Sequence, residues 1–231
     1  IIMNPVGGSF GYSVSANTFA IVATAVQHLR IPCTLTLSYE EFNHMTGKRS
    51  ATFSNARIAC DKDGRITAAE YDIGLDHGAY GTMGNKIFNN LVSVGFHGYN
   101  IPNFKALARG ASTNHAFCAA YRGFGAPQVY TTTEALIDMI AEKIGMDPWE
   151  FRYKNAARPG DLTINSRPYH DYLYPELLNK AKPYYDKYKA EAEAAKKEGR
   201  HVGVGISMGG FIYTIGAFDQ AEVAIEMNAD G

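Results

Sequence analysis

The chain has 231 residues, of which 46% are hydrophobic and 19% are charged, and its formal net charge is −1. This length can bury the core of one large domain or two small ones, and the composition is typical of a soluble globular protein. The near-neutral charge, without a stripe of lysine and arginine, argues against nucleic acid as the main partner, and no apolar run reaches the roughly 18 residues of a membrane-spanning helix.

Apolar periodicity and turn signals predict a mixture of helices and strands. In chain order these are a helix over 16–29, strands over 33–38, 52–60 and 65–75, a helix over 87–96, a strand over 104–111, helices over 127–144, 147–155 and 175–197, and strands over 202–213 and 220–227. The segment 87–96 also fits a buried strand, although we favour a helix. Because helices and strands alternate irregularly rather than as regular βαβ units, the pattern favours an α+β fold.

Three local features complete this outline. Ser15 can cap the first helix, which is apolar on nearly all sides and is therefore expected to be buried. The strands over 52–60 and 65–75 are expected to pair as a β-hairpin around the turn at 61–64. The polar run late in the last helix is interpreted as a solvated face rather than as a binding site.

The cysteine pattern indicates neither a metal centre nor a redox motif. Cys33, Cys60 and Cys118 lie far apart and match no zinc, iron–sulfur or Cys-Xaa-Xaa-Cys spacing. We expect all three to be small buried hydrophobic side chains.

Both ends of the sequence suggest a piece of a longer chain. Residues 1–3 are typical of a strand already under way, while residues 228–231 predict a hairpin turn with no second strand after it. We therefore interpret residues 1–200 as one domain that is incomplete at its N-terminus, and 201–231 as the truncated start of a following β-rich segment. The lack of a targeting signal carries little weight, because the true N-terminus is expected to be missing.

The first of two glycine-rich loops runs from Gly7 to Gly11. Because glycine lacks a Cβ atom, Gly7, Gly8 and Gly11 permit positive φ angles and a close approach of the backbone to a ligand. Successive N–H groups in such a turn can bind an anion, and the helix that follows adds the positive end of its dipole. A tight connection between a strand and a helix is the alternative. The phosphate loop of nucleotide hydrolases does not fit, since no Gly-Lys-Ser/Thr follows.

The second loop, over residues 119–128, adds a fixed positive charge at Arg122. An arginine in an apolar stretch is costly to bury without an acceptor, and its planar fork suits phosphate or oxo ligands, although a structural ion pair is the alternative. The aromatic residues Phe10, Tyr121 and Phe124 could line a substrate channel or belong to the core. Gln128 could bind a cofactor or cap the following helix.

Five segments in a fixed order identify a family. They are Gly-Gly-Ser-Phe-Gly at 7–11, Asp-His-Gly-Ala-Tyr at 76–80, Tyr-Asn-Ile-Pro-Asn at 99–103, Ala-Tyr-Arg-Gly-Phe-Gly-Ala-Pro-Gln at 120–128 and Glu-Lys-Ile-Gly-Met-Asp-Pro at 142–148. Through them essentially the whole chain resembles the molybdenum-binding part of the xanthine oxidase family of molybdenum hydroxylases, and most of all the bacterial aldehyde oxidoreductase branch. The resemblance implies a mixed-sheet α+β domain, over residues 1–200, that binds a molybdenum cofactor.

The resemblance also assigns the cofactor-binding residues. Phe10 and Gly11 match the loop whose backbone amide faces an oxo ligand of molybdenum. Arg122 matches the arginine beside the metal and the pterin, and it is the catalytic candidate of this chain. The segments that contact or shape the pterin pocket contain Gly7, Gly8, Gly123 and Gln128. The implied cofactor is molybdopterin, in the cytosine dinucleotide form of bacterial relatives, whose dithiolene holds molybdenum without a direct side-chain ligand from the protein.

The residues that match the substrate funnel are Val14, Met83 and Phe124. Purine-hydroxylating relatives place a glutamate at the position of Val14 and an arginine at the position of Asn90. Carbon monoxide dehydrogenases place a cysteine where this chain has Gly123. An apolar funnel without these groups favours an aldehyde or a small aromatic heterocycle as the substrate.

The implied reaction is the oxidation of an aldehyde to a carboxylic acid, with water as the source of oxygen. The alternatives are a hydroxylase of an N-heterocycle, a related enzyme acting on an aromatic thioester, and a non-catalytic scaffold domain. The resemblance places the general-base glutamate beyond the end of this chain, and [2Fe–2S] clusters and possibly FAD on other domains or subunits. We therefore expect the isolated chain to be inactive. We expect the whole enzyme to be a cytoplasmic homo-oligomer that binds neither nucleic acid nor a membrane.

Overall fold

The computed structural model describes residues 2, 8–11, 17–80, 83–169 and 172–210. Within these ranges the chain forms six helices and three strands. Their order is α1 (Asn17–Leu29), α2 (Tyr39–Met45), β1 (Thr52–Cys60), β2 (Ile66–Gly78), α3 (Gly84–Val94), β3 (Phe104–Ser112), α4 (Ala126–Lys143), α5 (Pro148–Asn155) and α6 (Tyr174–Lys197). The predicted helices over 87–96, 127–144, 147–155 and 175–197 and the strands over 52–60, 65–75 and 104–111 are thus confirmed.

The sheet is mixed, with its strands in the order β1-β2-β3. β1 and β2 form the predicted antiparallel hairpin, which runs from the pair Thr52 and Leu75 to its turn. In that turn the Asp61 carboxylate accepts hydrogen bonds from the N–H groups of Asp63 and Arg65, an arrangement typical of aspartate in tight turns. β3 lies parallel to β2. Helices beside a mixed sheet confirm the α+β class.

The core lies between one face of β2 and the helices α3 and α4. Every second residue from Ala69 to Leu75 is buried, as expected for a strand with one face on the core. Tyr71 stacks on Phe96 with ring centroids 4.8 Å apart, and its hydroxyl is hydrogen-bonded to that of Thr133 on α4. This packing fixes α3 and α4, and therefore the loop between β3 and α4, relative to the sheet.

The prediction that the first helix is buried is wrong for the described residues. No residue of α1 is buried, and the Ile21 and Leu29 side chains are 45% and 56% exposed. The apolar pattern is compatible with a helix, but burial requires another element that packs on it. The described part of the chain supplies no such element. The proposed cap at Ser15 lies outside the described residues.

The strand predicted over 33–38 is absent, and residues 32–38 are irregular. They lead into α2, which the periodicity does not predict. Ser38 begins this helix with a capping box, in which its hydroxyl accepts from the Glu41 N–H and the Glu41 carboxylate accepts from the Ser38 N–H. Ser-Tyr-Glu-Glu is the sequence signal for this motif.

The strand predicted over 202–213 is also wrong as far as residue 210, where no strand is formed. The Met208 N–H donates instead to the Glu134 carboxylate at 2.8 Å, and the Gly210 N–H donates to the Tyr130 hydroxyl at 3.0 Å. The segment binds α4 through side chains, because none of the described strands lies beside it. The strand predicted over 220–227 lies outside the described residues.

The cysteine prediction is confirmed for one residue of three. Cys118 is buried, whereas Cys33 and Cys60 are only partly buried, and all three are free thiols. None of the described helices is both long and apolar enough to cross a bilayer.

Candidate functional site

The two glycine-rich loops meet. The backbone N–H of Arg122 donates a hydrogen bond to the carbonyl of Phe10 at 2.8 Å. Gly11 lies so close to the second loop that a Cβ atom on it would be 2.5 Å from the Ala120 carbonyl oxygen. Gly11 also has a φ of 103°, so a side chain here would be both strained and blocked. The contact between the loops therefore depends on glycine at this position.

The second loop turns sharply before it enters α4. Gly123, Phe124 and Gly125 have φ angles of 91°, 42° and 99°. A non-glycine residue in this region costs on the order of 1–3 kcal/mol, so Phe124 needs the surroundings to hold it. Within the turn the N–H groups of Phe124 and Ala126 donate to the carbonyls of Tyr121 and Gly123. The turn leads directly into an 18-residue helix, whose N-terminus adds the positive end of the helix dipole beside Arg122.

The Arg122 side chain is available for a ligand. Arg122 is exposed, and its guanidinium forms no hydrogen bond or ion pair with any other residue that the structure describes. The alternative of a structural ion pair with a carboxylate is therefore not seen in that part of the chain. A fixed cation beside the N-terminus of a helix can bind an anionic group.

Arg49 holds the second loop, and the sequence gives no sign of this role. Its guanidinium donates to the Gln128 side-chain oxygen at 3.2 Å and to the backbone carbonyl of Arg122. It also lies over the Tyr121 ring, 4.5 Å from the ring centroid. Arg49 thus contacts both ends of the segment from Tyr121 to Gln128.

Gln128 does not cap α4, because the helix begins after Gly125 without a side-chain cap. Its oxygen accepts from Arg49, and its side-chain N–H group donates to the Ser50 carbonyl at 3.5 Å. The Ser50 hydroxyl is buried without a hydrogen-bond partner in the described residues. This small region of unsatisfied polarity lies beside the residue predicted to contact a cofactor.

Asn90 on α3 holds the middle of the loop. Its side-chain amide donates to the Phe124 carbonyl at 2.6 Å. This bond stabilises Phe124 in its left-handed conformation and uses one of the two N–H donors of the Asn90 amide.

The predicted funnel residues are only partly described. Met83 immediately precedes α3, and both Met83 and Phe124 are half-buried against the core. Gly125, which follows Phe124, packs closely against Ile87 and Leu91 of α3, the helix that Met83 precedes. Gly7 and Val14 lie outside the described residues. Gly8 lies beside the Phe10 ring, which is 60% exposed.

Two cavities in the described part of the chain lie elsewhere. One of about 1070 Å³ lies between the sheet and the loop at 160–166, and includes Arg57, Glu70 and Lys105 in its lining. The other, of about 780 Å³, includes Trp149 and Arg158. Neither is lined by the two glycine-rich loops, so the chemistry of Arg122 rather than cavity size marks the candidate site.

No cluster of three or more His, Cys, Asp or Glu side chains that could hold a metal ion is found among the described residues. A metal at this site would therefore need ligands from a cofactor or from residues outside the described ranges. The exposed Arg122 guanidinium, which has no partner in the described part of the chain, and the adjacent N-terminus of α4 suit an anionic cofactor of that kind.

The family model of the molybdopterin cofactor-binding domain matches residues 1–156. Over its whole length the chain is 40% identical to the aldehyde oxidoreductase of Megalodesulfovibrio gigas, of which it covers 26%. It is 29% identical to the xanthine dehydrogenase molybdenum-binding subunit of Escherichia coli O157:H7, with 100% of this chain and 31% of that protein covered. The large molybdopterin subunit of nicotinate dehydrogenase from Eubacterium barkeri is 29% identical over 69% of this chain and 38% of that protein.

Solved structures show the same fold. The aldehyde oxidoreductase from Desulfovibrio gigas superposes with a TM-score of 0.79 at 41% identity, over 84% of this chain and 21% of that one. Quinoline 2-oxidoreductase from Pseudomonas putida superposes with a TM-score of 0.72 at 22% identity, over 84% of this chain and 26% of that one, which supports the fold alone. The chain spans about a quarter of the length of the aldehyde oxidoreductase that it matches over its whole length.

Proposed function

The chain belongs to the molybdopterin cofactor-binding domain family, and we propose that it is part of a molybdenum hydroxylase that oxidises an aldehyde to a carboxylic acid with water as the oxygen source. The observation that carries this proposal is the junction of Phe10 with Arg122, in a chain homologous to aldehyde oxidoreductase over its whole length. The family's cofactor fits the residues present, since it is anionic and the site offers the exposed Arg122 guanidinium, which has no partner among the described residues, beside the N-terminus of α4.

The residues of this chain hold and orient the cofactor. When bound, molybdopterin supplies the molybdenum centre at which the oxidation takes place. Arg122 places a fixed positive charge beside it, where a preorganised cation stabilises developing negative charge, and this is its catalytic role. Phe10 and Gly11 present backbone to the same centre. The remaining residues that shape the pterin pocket are Gly7, Gly8, Gly123 and Gln128.

The substrate reaches the centre along apolar side chains, namely Val14, Met83 and Phe124. An aldehyde suits this lining, because it needs little polar anchoring beyond its carbonyl group. The apolar Val14 and the uncharged Asn90 support this choice, since these are the positions at which purine-hydroxylating relatives carry a glutamate and an arginine.

A second candidate is the hydroxylation of an N-heterocycle. The 29% identity with both a nicotinate dehydrogenase subunit and a xanthine dehydrogenase subunit favours it over other reactions. An aromatic thioester substrate has no comparable support. A non-catalytic scaffold is disfavoured by the exposed Arg122, which is unpaired among the described residues and which such a domain does not need.

The whole enzyme contains more than this chain. We infer the cytosine dinucleotide form of the cofactor, [2Fe–2S] clusters and possibly FAD on other domains or subunits, and a cytoplasmic homo-oligomer. Residues 1–200 are assigned to the first cofactor-binding domain and 201–231 to the start of the next segment. The general-base glutamate belongs to a segment beyond residue 231, so the isolated chain is expected to be inactive, and a turnover assay of cofactor-loaded chain tests this.

Metal analysis and a substrate screen of the full-length protein test the proposal. The protein should be produced in a host that makes the cofactor, and its molybdenum content and its turnover of aldehydes, nicotinate and purines should be measured. We expect stoichiometric molybdenum and a preference for aldehydes. A protein without molybdenum would refute the enzyme class, and a preference for the heterocycles would select the second candidate.

A further inference from the structure

We propose that Arg49 is a positioning residue for the reaction, in that it holds the loop that carries Arg122 in the geometry needed for catalysis. This inference rests on the proposed function. Nothing in the sequence marks Arg49, which is 73 residues away from the loop that it contacts. Its role follows from three contacts with that loop and from the way its own backbone is fixed.

The contacts of Arg49 require the shape of a guanidinium. One nitrogen donates to the carbonyl of Arg122, another donates to the Gln128 side-chain oxygen, and the flat face of the group covers the Tyr121 ring. A planar fork can make all three contacts at once, whereas a lysine ammonium has no flat face and cannot span both acceptors in this way. Charge alone therefore does not explain why arginine is suited to this position.

The backbone of Arg49 is itself firmly anchored. The Lys48 N–H donates to the Phe117 carbonyl at 2.9 Å, and the Ala119 N–H donates to the Lys48 carbonyl at 3.1 Å. Gly47 is pressed so closely on Ala119 that a Cβ atom there would lie 1.9 Å from the Ala119 side chain. Because the backbone next to Arg49 is fixed, the Arg49 side chain can hold the second loop at a defined position.

The backbone of Arg122 contacts both the first glycine-rich loop and Arg49. The N–H of Arg122 binds the Phe10 carbonyl, and the carbonyl of Arg122 binds Arg49. The backbone of Arg122 is thus held from both sides, while its guanidinium forms no hydrogen bond or ion pair with another described residue. Loss of Arg49 would let this residue rotate, so the expected defect lies in the use of the bound cofactor more than in the fold.

The test uses the full-length holoenzyme and compares Arg49→Met and Arg49→Lys with Arg57→Met. Arg57 on β1 is a matched control, because its side chain is 84% exposed and pairs only loosely with Glu70 at 3.4 Å. The measurements are molybdenum content, kcat per bound molybdenum, KM for the aldehyde, and the electron paramagnetic resonance spectrum of the reduced enzyme. We expect kcat per molybdenum to fall about 10- to 100-fold in both Arg49 variants, as for other residues that orient the groups around a metal. KM should change less, and the spectrum should be altered.

Two results would overturn the proposal. One is that the Arg49 variants keep the kcat per molybdenum and the spectrum of Arg57→Met; the other is that Arg49→Lys restores them, which would mean that charge alone suffices. If Arg49→Met does not fold, Arg49→Lys decides the question by the same criteria. A wild-type enzyme without molybdenum would instead refute the proposed function, so the two failures are distinguishable.

Discussion

The N–H of Arg122 donates to the Phe10 carbonyl at 2.8 Å, so the backbones of two loops that are 112 positions apart in the sequence share one hydrogen bond. One end of this bond belongs to the residue expected to face molybdenum, and the other belongs to the residue expected to face the pterin. The structure thus brings together the two loops that are expected to contact the cofactor.

Replacement of Arg122 should impair catalysis without loss of stability. Its side chain is exposed and contacts no carboxylate among the described residues, so Arg122→Met should leave the melting temperature unchanged. Removal of one charge-stabilising donor commonly lowers kcat by about 100-fold or more, and we expect a loss of that size per bound molybdenum. Thermal unfolding and steady-state kinetics of the full-length enzyme check both parts. A large fall in melting temperature would show that Arg122 is structural.

Asn90 should affect the efficiency with which substrate is used. Asn90→Ala removes the donor that holds the Phe124 carbonyl. A hydrogen bond of this kind contributes about 1 kcal/mol, which corresponds to a fall of roughly fivefold in kcat/KM for the aldehyde. Asn179→Ala is the control, since Asn179 is exposed and its amide makes only a 3.5 Å contact with the Tyr153 hydroxyl. Equal values of kcat/KM in the two variants would contradict this role.

The ion pairs of Arg152 should dominate the stability of the contact between α4 and α5. Arg152 is fully buried and donates to Glu134 at 3.0 Å and to Asp138 at 2.7 Å. Arg152→Met leaves the Glu134 carboxylate without its cation, and such a change costs about 3–5 kcal/mol. Hydrogen exchange of the α5 amides measures the loss.

Lys180→Met provides the comparison for Arg152, because Lys180 forms an exposed ion pair with Glu176 on α6. Exposed pairs of this spacing contribute only about 0–1 kcal/mol. Protection of the α5 amides should therefore stay at the wild-type level in this variant. If both substitutions lower the protection of the α5 amides equally, the buried ion pairs of Arg152 contribute no more to stability than the exposed pair does.

His97 should make the fold sensitive to acid. Burial lowers the pKa of His97 from its ordinary 6.5 to about 4, so the folded protein holds the neutral ring. The unfolded chain takes up this proton as the pH falls below 6.5, and the folded protein does so only near pH 4. The stabilisation is present above pH 6.5 and is lost between these values, with a total of roughly 3 kcal/mol. His97→Phe should remove this part of the pH dependence of unfolding, and an unchanged pH profile would contradict it.

Much of the fold follows from local patterns. Residues of α3 such as Ile87, Leu91 and Val94 recur at helical spacing and are buried in the structure, and the alternation in β2 likewise marks its buried face. The burial of α1 could not be predicted in this way, because burial depends on what covers a helix. The irregular segment at 32–38 has a strand-like composition, but it would need a neighbouring strand to pair with in order to form a β-strand.

The loop residues of the candidate site could be predicted from the sequence, because their backbone requirements are local. The distant side chains that hold these loops could not. The glycines and Arg122 stand out in the sequence because their local requirements are unusual. Arg49 and Asn90 do not, since they act through contacts across 73 and 34 positions that no local spacing encodes. Long-range positioning residues of this kind need the three-dimensional structure to be found.

The molybdenum content of the full-length enzyme with Gly11→Ala tests the central claim most directly. Gly160→Ala is the matched control, because Gly160 also has a positive φ, of 91°, but a Cβ atom on it would meet nothing within 4 Å. Both variants carry backbone strain of on the order of 1–3 kcal/mol, but only Gly11→Ala pushes the two loops apart. We predict that folded Gly11→Ala protein loses most of its molybdenum while Gly160→Ala keeps the wild-type amount. Equal molybdenum in the two would contradict the claim that the junction of the loops forms the cofactor site.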